Sequence, residues 1–304
     1  MTRDFSIAEC RFRIEGEGWE PFFGPFGRAL HRFEVPVDPQ AETVLVLRTD
    51  GMPEEPAPDF DACTVLDTFD FPDAEAVCRL MVDKSSRILT IQREDRKTLW
   101  FRLARKDGAA RSNLKELPGD EITGSLIRMG MWFLYGMAVA PRHIFLIHAS
   151  VICCGEGAAL FLGESGTGKS THTRLWREHI PGAELLNDDS PAVRLTDGLA
   201  TVYGTPWSGK TPCYRPERRA IRGFVRLSQA PQNVIRPLHG IRAVGALLPS
   251  APPSFAYDAE LQDAVCETIA ELIARVPVCH LACLPDAEAA RLSHRTLFGP
   301  EQEA

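Results

Sequence analysis

The chain has 304 residues, 44% hydrophobic and 25% charged, an ordinary globular composition with room for one large domain or two moderate ones. A net charge of -7 argues against nucleic acid or an anionic membrane surface as the main partner. No charged stretch followed by an apolar core opens the sequence, and the longest apolar run, residues 129–141, holds Gly130 and Gly136 and is too short to cross a bilayer, so a soluble, cytoplasmic protein is expected.

Nine cysteines raise the question of metal. The tightest cluster, Cys279-His280-Leu281-Ala282-Cys283, has no second Cys/His pair at zinc-finger spacing, and its alternation reads as one face of a strand. The cysteines are therefore taken as small buried hydrophobes.

Residues 1–118 read as a strand-rich domain with no catalytic cluster. Strands are predicted over 5–14, 30–37, 42–47, 63–69, 87–92 and 98–103, with turns at Glu15-Gly16-Glu17-Gly18 and Gly24-Pro25. A proline-containing acidic loop is expected at 50–61, and a short helix at 73–82. From residue 119 a second domain is expected to run to 304. It opens with a helix capped by Asp120 and running to about Val139, in which Leu126, Met129, Phe133 and Met137 recur at helical spacing as a core face.

An apolar run at 144–152 contains His148. A Gly155-Glu156-Gly157 turn then leads to a short apolar strand, 158–162. Directly after it stand Gly163, Glu164, Ser165, Gly166, Thr167, Gly168, Lys169, Ser170 and Thr171, which fit the phosphate-binding loop pattern. The chemistry explains the pattern. Glycines free the backbone so that successive N–H groups form an anion nest, the lysine neutralises the β- and γ-phosphates, and the Ser170 hydroxyl can sit on Mg²⁺. A helix over 170–180 directs its positive end at the same anion. ATP with Mg²⁺ is the expected cofactor pair.

Asp188-Asp189 interrupts an apolar segment some twenty residues later, where a crossover would bring the next strand beside the first. One acid can orient the metal and the other can take a proton from an attacking hydroxyl. Beyond them, Lys210, Arg215 and Arg218 are candidates for an anion or substrate site. The remainder is read as a strand at 220–227, helices at 238–248 and 261–275, a strand at 278–284 and a last helix capped by Asp286.

With these residues assembled, residues 120–298 resemble the HPr kinase/phosphorylase family and, more broadly, the phosphoenolpyruvate carboxykinase-like P-loop fold. The resemblance rests on the loop at 163–171, on His148 some fifteen residues ahead of it, and on the Asp188-Asp189 pair. It implies an α/β (α+β) chain with a carboxykinase-like P-loop domain behind the strand-rich one. It further implies transfer of the terminal phosphoryl group of ATP to a hydroxyl, on a protein or peptide serine or on a small metabolite. The resemblance makes Asp189 the proton acceptor, puts Asp188 with Ser170 on the metal, and has His148 assisting. The Glu-x-Arg-Gly signature of that family is absent, and residues 204–210 stand in its place. Carboxykinase chemistry on a keto acid and nucleotide sensing without transfer are the alternative readings. A homo-oligomer is compatible with the sequence.

Overall fold

The computed structural model describes residues 1–49, 57–209 and 211–299. Lys210 and much of the loop expected at 50–61 lie outside the described residues. Packing divides the chain into two units, Met1–Pro141 with Ser254–Leu261, and Arg142–Pro253 with Gln262–Ala304.

The first unit is built on one sheet of β1 (Thr2–Ile7), β2 (Cys10–Glu15), β3 (Glu34–Val35), β4 (Leu45–Arg48), β5 (Thr64–Phe71), β6 (Ala76–Val82), β7 (Ser86–Gln92), β8 (Leu99–Ala104) and β9 (Ala109–Ser112). Their order is β3-β1-β2-β4-β9-β8-β7-β6-β5, antiparallel except where β4 runs parallel to β2 and β9. The strand expected over 5–14 is a hairpin, because Ala8 and Glu9 both take positive φ and reverse the chain. The strand expected from residue 30 shrinks to β3. Pro25 presets the first turn of helix α1 (Gly24–Leu30), which buries Phe26, Ala29 and Leu30. The helix expected at 73–82 is strand β6, whose residues Ala76, Cys78 and Leu80 bury alternately between β5 and β7.

Helix α2 (Glu121–Val139) starts as expected, with Asp120 accepting the Thr123 N–H at 2.8 Å. It packs on the sheet of the first unit. The Tyr135 hydroxyl donates to Ile7 O at 2.7 Å, and the Phe133 ring stacks on Phe69. Gly130 lets Phe101 lie against the helix backbone, where a Cβ would come within 2.0 Å of the ring. These contacts move the boundary expected at 118/119 to the end of this helix. Residues Glu121–Arg142 are long and apolar enough to cross a membrane, contrary to the expectation from the shorter run, and most of that window is buried in protein. The segment Ser254–Leu261 returns to the same unit. A buried fork ties it there, Arg87 Nε and one terminal nitrogen donating to the two Asp258 oxygens at 2.8 and 2.9 Å.

The second unit carries β10 (Ile144–Leu146), β11 (Ala149–Cys154), β12 (Gly157–Leu162), β13 (Ala183–Asp189), β14 (Ala192–Thr196), β15 (Leu199–Tyr203), β16 (Arg218–Gln229), β17 (Val234–Leu238) and β18 (Val278–Cys283). The order is β10-β14-β15-β16-β12-β11-β13, with β18 parallel to the far half of β16 and β17 antiparallel to β18. Strand β13 therefore does not lie beside β12. The hairpin strand β11 sits between them, antiparallel to both.

Helices α3 (Lys169–His179), α4 (Ile241–Leu247), α5 (Ala259–Arg275) and α6 (Ala287–Phe298) complete the chain. Phe161, Leu175, Trp176, Val225, Leu227, Leu281 and Ala290 form a core between the sheet and α3 with α6. At its centre the buried Ser293 hydroxyl meets His172 Nε2 and Trp176 Nε1, both at 2.9 Å, clasping the two helices together. Burial lowers the His172 pKa from 6.5 to about 4.

The imidazole is therefore neutral in the fold, while the unfolded chain takes a proton below about 6.5. Its contribution is fully present above pH 6.5 and is lost as pH falls toward 4. Thermal unfolding should shift to lower temperature across that window, and His172→Gln, which keeps a hydrogen-bonding side chain without a titrating ring, should remove that part of the shift.

Candidate functional site

All six residues of β12 are buried, and the chain leaves the sheet at Leu162 directly into the glycine loop. Gly163, Gly166 and Gly168 have φ of 149°, 83° and 106°. At Gly163 space is closed as well, since a Cβ would lie 2.5 Å from Thr167 Oγ1. That hydroxyl donates to Glu164 O at 2.8 Å and sets the loop's curvature. Helix α3 begins at Lys169, so its first N–H groups face the loop.

The Lys169 ammonium folds back over the loop and donates to Gly163 O at 2.7 Å and Glu164 O at 3.1 Å. Burial pushes its pKa down, Asp189 and Asp188 oppose that, and the Arg226 guanidinium adds to the lowering. All three charges thus act on the same ammonium.

The two acids lie in strand rather than in a turn, the last residues of β13. Successive strand residues point to opposite faces, which separates their surroundings. Asp188, buried, turns toward α3. Its Oδ1 accepts from Ser170 Oγ at 3.0 Å and from Ser150 Oγ at 2.6 Å, and Ser150 Oγ lies 3.2 Å from Thr173 Oγ1. Asp189, half-buried, turns to the other face, where its Oδ1 is 3.2 Å from His148 Nδ1. His148 stands where the apolar run 144–152 breaks into β10 and β11, and its backbone N–H donates to Ser250 O at 2.7 Å.

Buried Asn187 fixes the end of the acid strand. Its Oδ1 accepts from the N–H groups of Asp189 and Ser190, and its Nδ2 donates to Thr205 Oγ1 and Trp207 O. Ser208 bridges to Asp189 in the backbone ladder, and Gly209 N–H donates to Asp188 O at 2.9 Å. The 204–209 stretch therefore braces the two acids.

Two expected anion ligands are not at the site. Arg215 donates to Glu217 Oε1 at 2.8 Å, to Glu184 Oε2 at 2.8 Å and to Leu185 O, so its charge is already matched by carboxylates. Arg218 opens β16, whose Ala220 pairs with Gly157 at the start of β12, whereas the loop follows Leu162, which pairs with Arg226. At strand rise that separates Arg218 from the loop by on the order of 20 Å. Arg226 is the basic residue the fold brings to the loop instead, 3.8 Å from Glu164 Oε1. Ser150, Thr173, Asn187 and Arg226 were all missed from sequence. Ser150 alone left a trace, as a lone hydroxyl in an apolar run.

Beside the loop and the first turns of α3 opens a cavity of about 700 Å³, walled by Gly166, Thr171, Leu175, Leu227, Gln229 and Leu284. Its size and apolar walls suit a nucleoside. Ser170, Ser150 and Asp188 present oxygen alone, the donor type of a hard divalent cation such as Mg²⁺.

Gly209→Ala tests the brace. The new Cβ would lie 2.5 Å from Asp188 O and 3.3 Å from Asp189 Cβ. Displacing the strand end should cost about 1–3 kcal/mol in denaturant unfolding. Unchanged stability would mean that the brace is absent.

No family profile and no curated protein sequence matches this chain. Among solved structures, the Hpr(Ser) kinase/phosphatase from Coxiella burnetii aligns with a TM-score of 0.30 at 12% identity, over 50% of this chain and 87% of that one. At that similarity no residue of the bacterial protein is carried over to this chain.

Proposed function

We propose that this protein is an ATP- and Mg²⁺-dependent phosphotransferase that moves the terminal phosphoryl group to a hydroxyl on a protein, a peptide or a small metabolite. The observation that carries this reading is the division of the two acids by the strand pleat. Asp188 accepts from the hydroxyl of the loop's Ser170, and Asp189 faces away beside His148. A nucleotide sensor needs the first arrangement only.

In this reading the triphosphate lies along the loop amides, with Lys169 exchanging its two carbonyl partners for phosphate oxygens. The nucleoside fills the cavity between Leu175 and Leu227. Ser170 and Asp188 would hold Mg²⁺, which supplies charge neutralisation on the phosphates when bound. Asp189 takes the proton of the acceptor hydroxyl as its oxygen bonds to the γ-phosphorus and the bond to the β–γ bridging oxygen breaks, leaving ADP. His148, within hydrogen-bonding distance of Asp189, orients that carboxylate and shares the charge change.

Two substitutions separate binding from transfer. Lys169→Ala should weaken ATP binding by calorimetry at least tenfold and abolish turnover. Asp189→Asn should leave ATP affinity within a few-fold of the original and lower single-turnover transfer by about 10²–10⁴. The acceptor is found by incubating the protein with γ-³²P-ATP and a lysate, then separating labelled proteins from labelled metabolites. Unchanged ATP affinity in Lys169→Ala would remove the loop assignment. Binding without any transfer would favour the sensor, and faster phosphoenolpyruvate formation from oxaloacetate would favour carboxykinase chemistry.

A further inference from the structure

The register of the second sheet draws one line of side chains across its loop end. Asp189 pairs with Ala149, Ala149 with Leu162, Leu162 with Arg226, Arg226 with His280, and His280 with Arg236. Residues paired in this way point to the same face. Phe161, Val225 and Leu281, one position along, point into the core with α3, so this line lies on the opposite face, which Asp189 also occupies. Arg226 is held there by Ala246 O of α4 at 3.4 Å, and the exposed Glu164 carboxylate lies 3.8 Å from it. His280 Nε2 is 2.9 Å from Ser228 Oγ, and Arg236 is exposed. The floor between them is small, Ser228 and Ala282.

The sequence of this region has an unusual charge balance. Residues 218–257 hold six arginines and one histidine and not one Asp or Glu, in a chain with 41 acids and a net charge of -7. Part of that excess belongs to the far end of β16, and Arg226 and Arg236 carry it to the loop end.

We propose that the acceptor is an anion, and that Arg226, His280 and Arg236 bind its phosphate or carboxylate on the sheet face that presents Asp189 to its hydroxyl. This inference rests on the phosphotransfer reading. Two guanidiniums and an imidazole on adjacent strands offer several N–H donors to one oxyanion, the recognition chemistry of phosphates and carboxylates. Three strand spacings, about 14 Å, separate Asp189 from Arg226 at the backbone, and the side chains close part of that gap. The acceptor is therefore an extended molecule whose hydroxyl and anionic group lie apart, with the γ-phosphate of ATP between them.

The test uses the full chain labelled at histidine, with the loop filled by Mg·AMP-PNP so that added anions cannot occupy it. Inorganic phosphate and acetate are titrated separately at constant ionic strength in chloride while the His280 ring resonances, assigned with His280→Gln, are followed by NMR. A saturable shift with phosphate points to a phosphorylated acceptor, and one with acetate to a carboxylated acceptor. Arg226→Gln and Arg236→Gln should each weaken the response about tenfold, and Arg236→Gln should leave AMP-PNP affinity unchanged. A His280 ring unmoved by either anion, or moved equally in both arginine variants, overturns the anion site while leaving the phosphotransfer reading standing. A chain that fails to bind AMP-PNP at all overturns both.

Discussion

The site depends on the pleat of a single strand. Asp188 and Asp189 are neighbours in sequence, and because both belong to β13 the backbone directs them to opposite faces. Had the pair formed a turn, the two carboxylates could have shared one environment and repelled each other. Instead one is buried among hydroxyls next to the glycine loop and the other is half-exposed beside an imidazole. The Asn187 side chain holds this arrangement by closing the strand end onto Thr205 and Trp207. The hairpin strand β11 spaces β13 from β12 by one strand and brings Ser150 to Asp188.

The loop's own groups are satisfied within the chain. Lys169 donates to two loop carbonyls, and Ser170 donates to Asp188. An anion entering the loop would exchange hydrogen bonds rather than simply add them, because Lys169 and Ser170 already make charge-assisted bonds there. Burial and the Arg226 guanidinium push the Lys169 pKa down while Asp189 and Asp188 oppose them, so groups of both signs act on one ammonium. The first unit contributes none of these groups. Its sheet, α2 and the Arg87–Asp258 fork make a separate core.

Strand, loop and helix at 157–179 were legible because each rests on short-range chemistry, a buried apolar run, glycines at positive φ and a helix start. The Asp120 and Asp286 caps were legible for the same reason. Pairing across the sheet was not. Nothing local says that β11 would separate β12 from β13, that Arg226 would pair with Leu162, or that Arg218 would start the strand at its far end. Residues 73–82 have a composition that suits either a helix or a strand, and the neighbours β5 and β7 decide it. Helix α2 reads correctly as a helix, but its allegiance is set by Tyr135, Phe133 and Gly130 meeting residues distant in sequence. Arg215 shows the same limit for charge, since its partner Glu184 is brought to it only by the fold.

The most direct measurement is diffraction from crystals of the full chain grown with Mg·AMP-PNP. The account predicts three phosphates along residues 163–170, the Lys169 ammonium moved off Gly163 O onto phosphate, and a metal held by Ser170 and Asp188. Nucleotide bound elsewhere, with Lys169 still on the loop carbonyls and Ser170 still donating to Asp188, would contradict it.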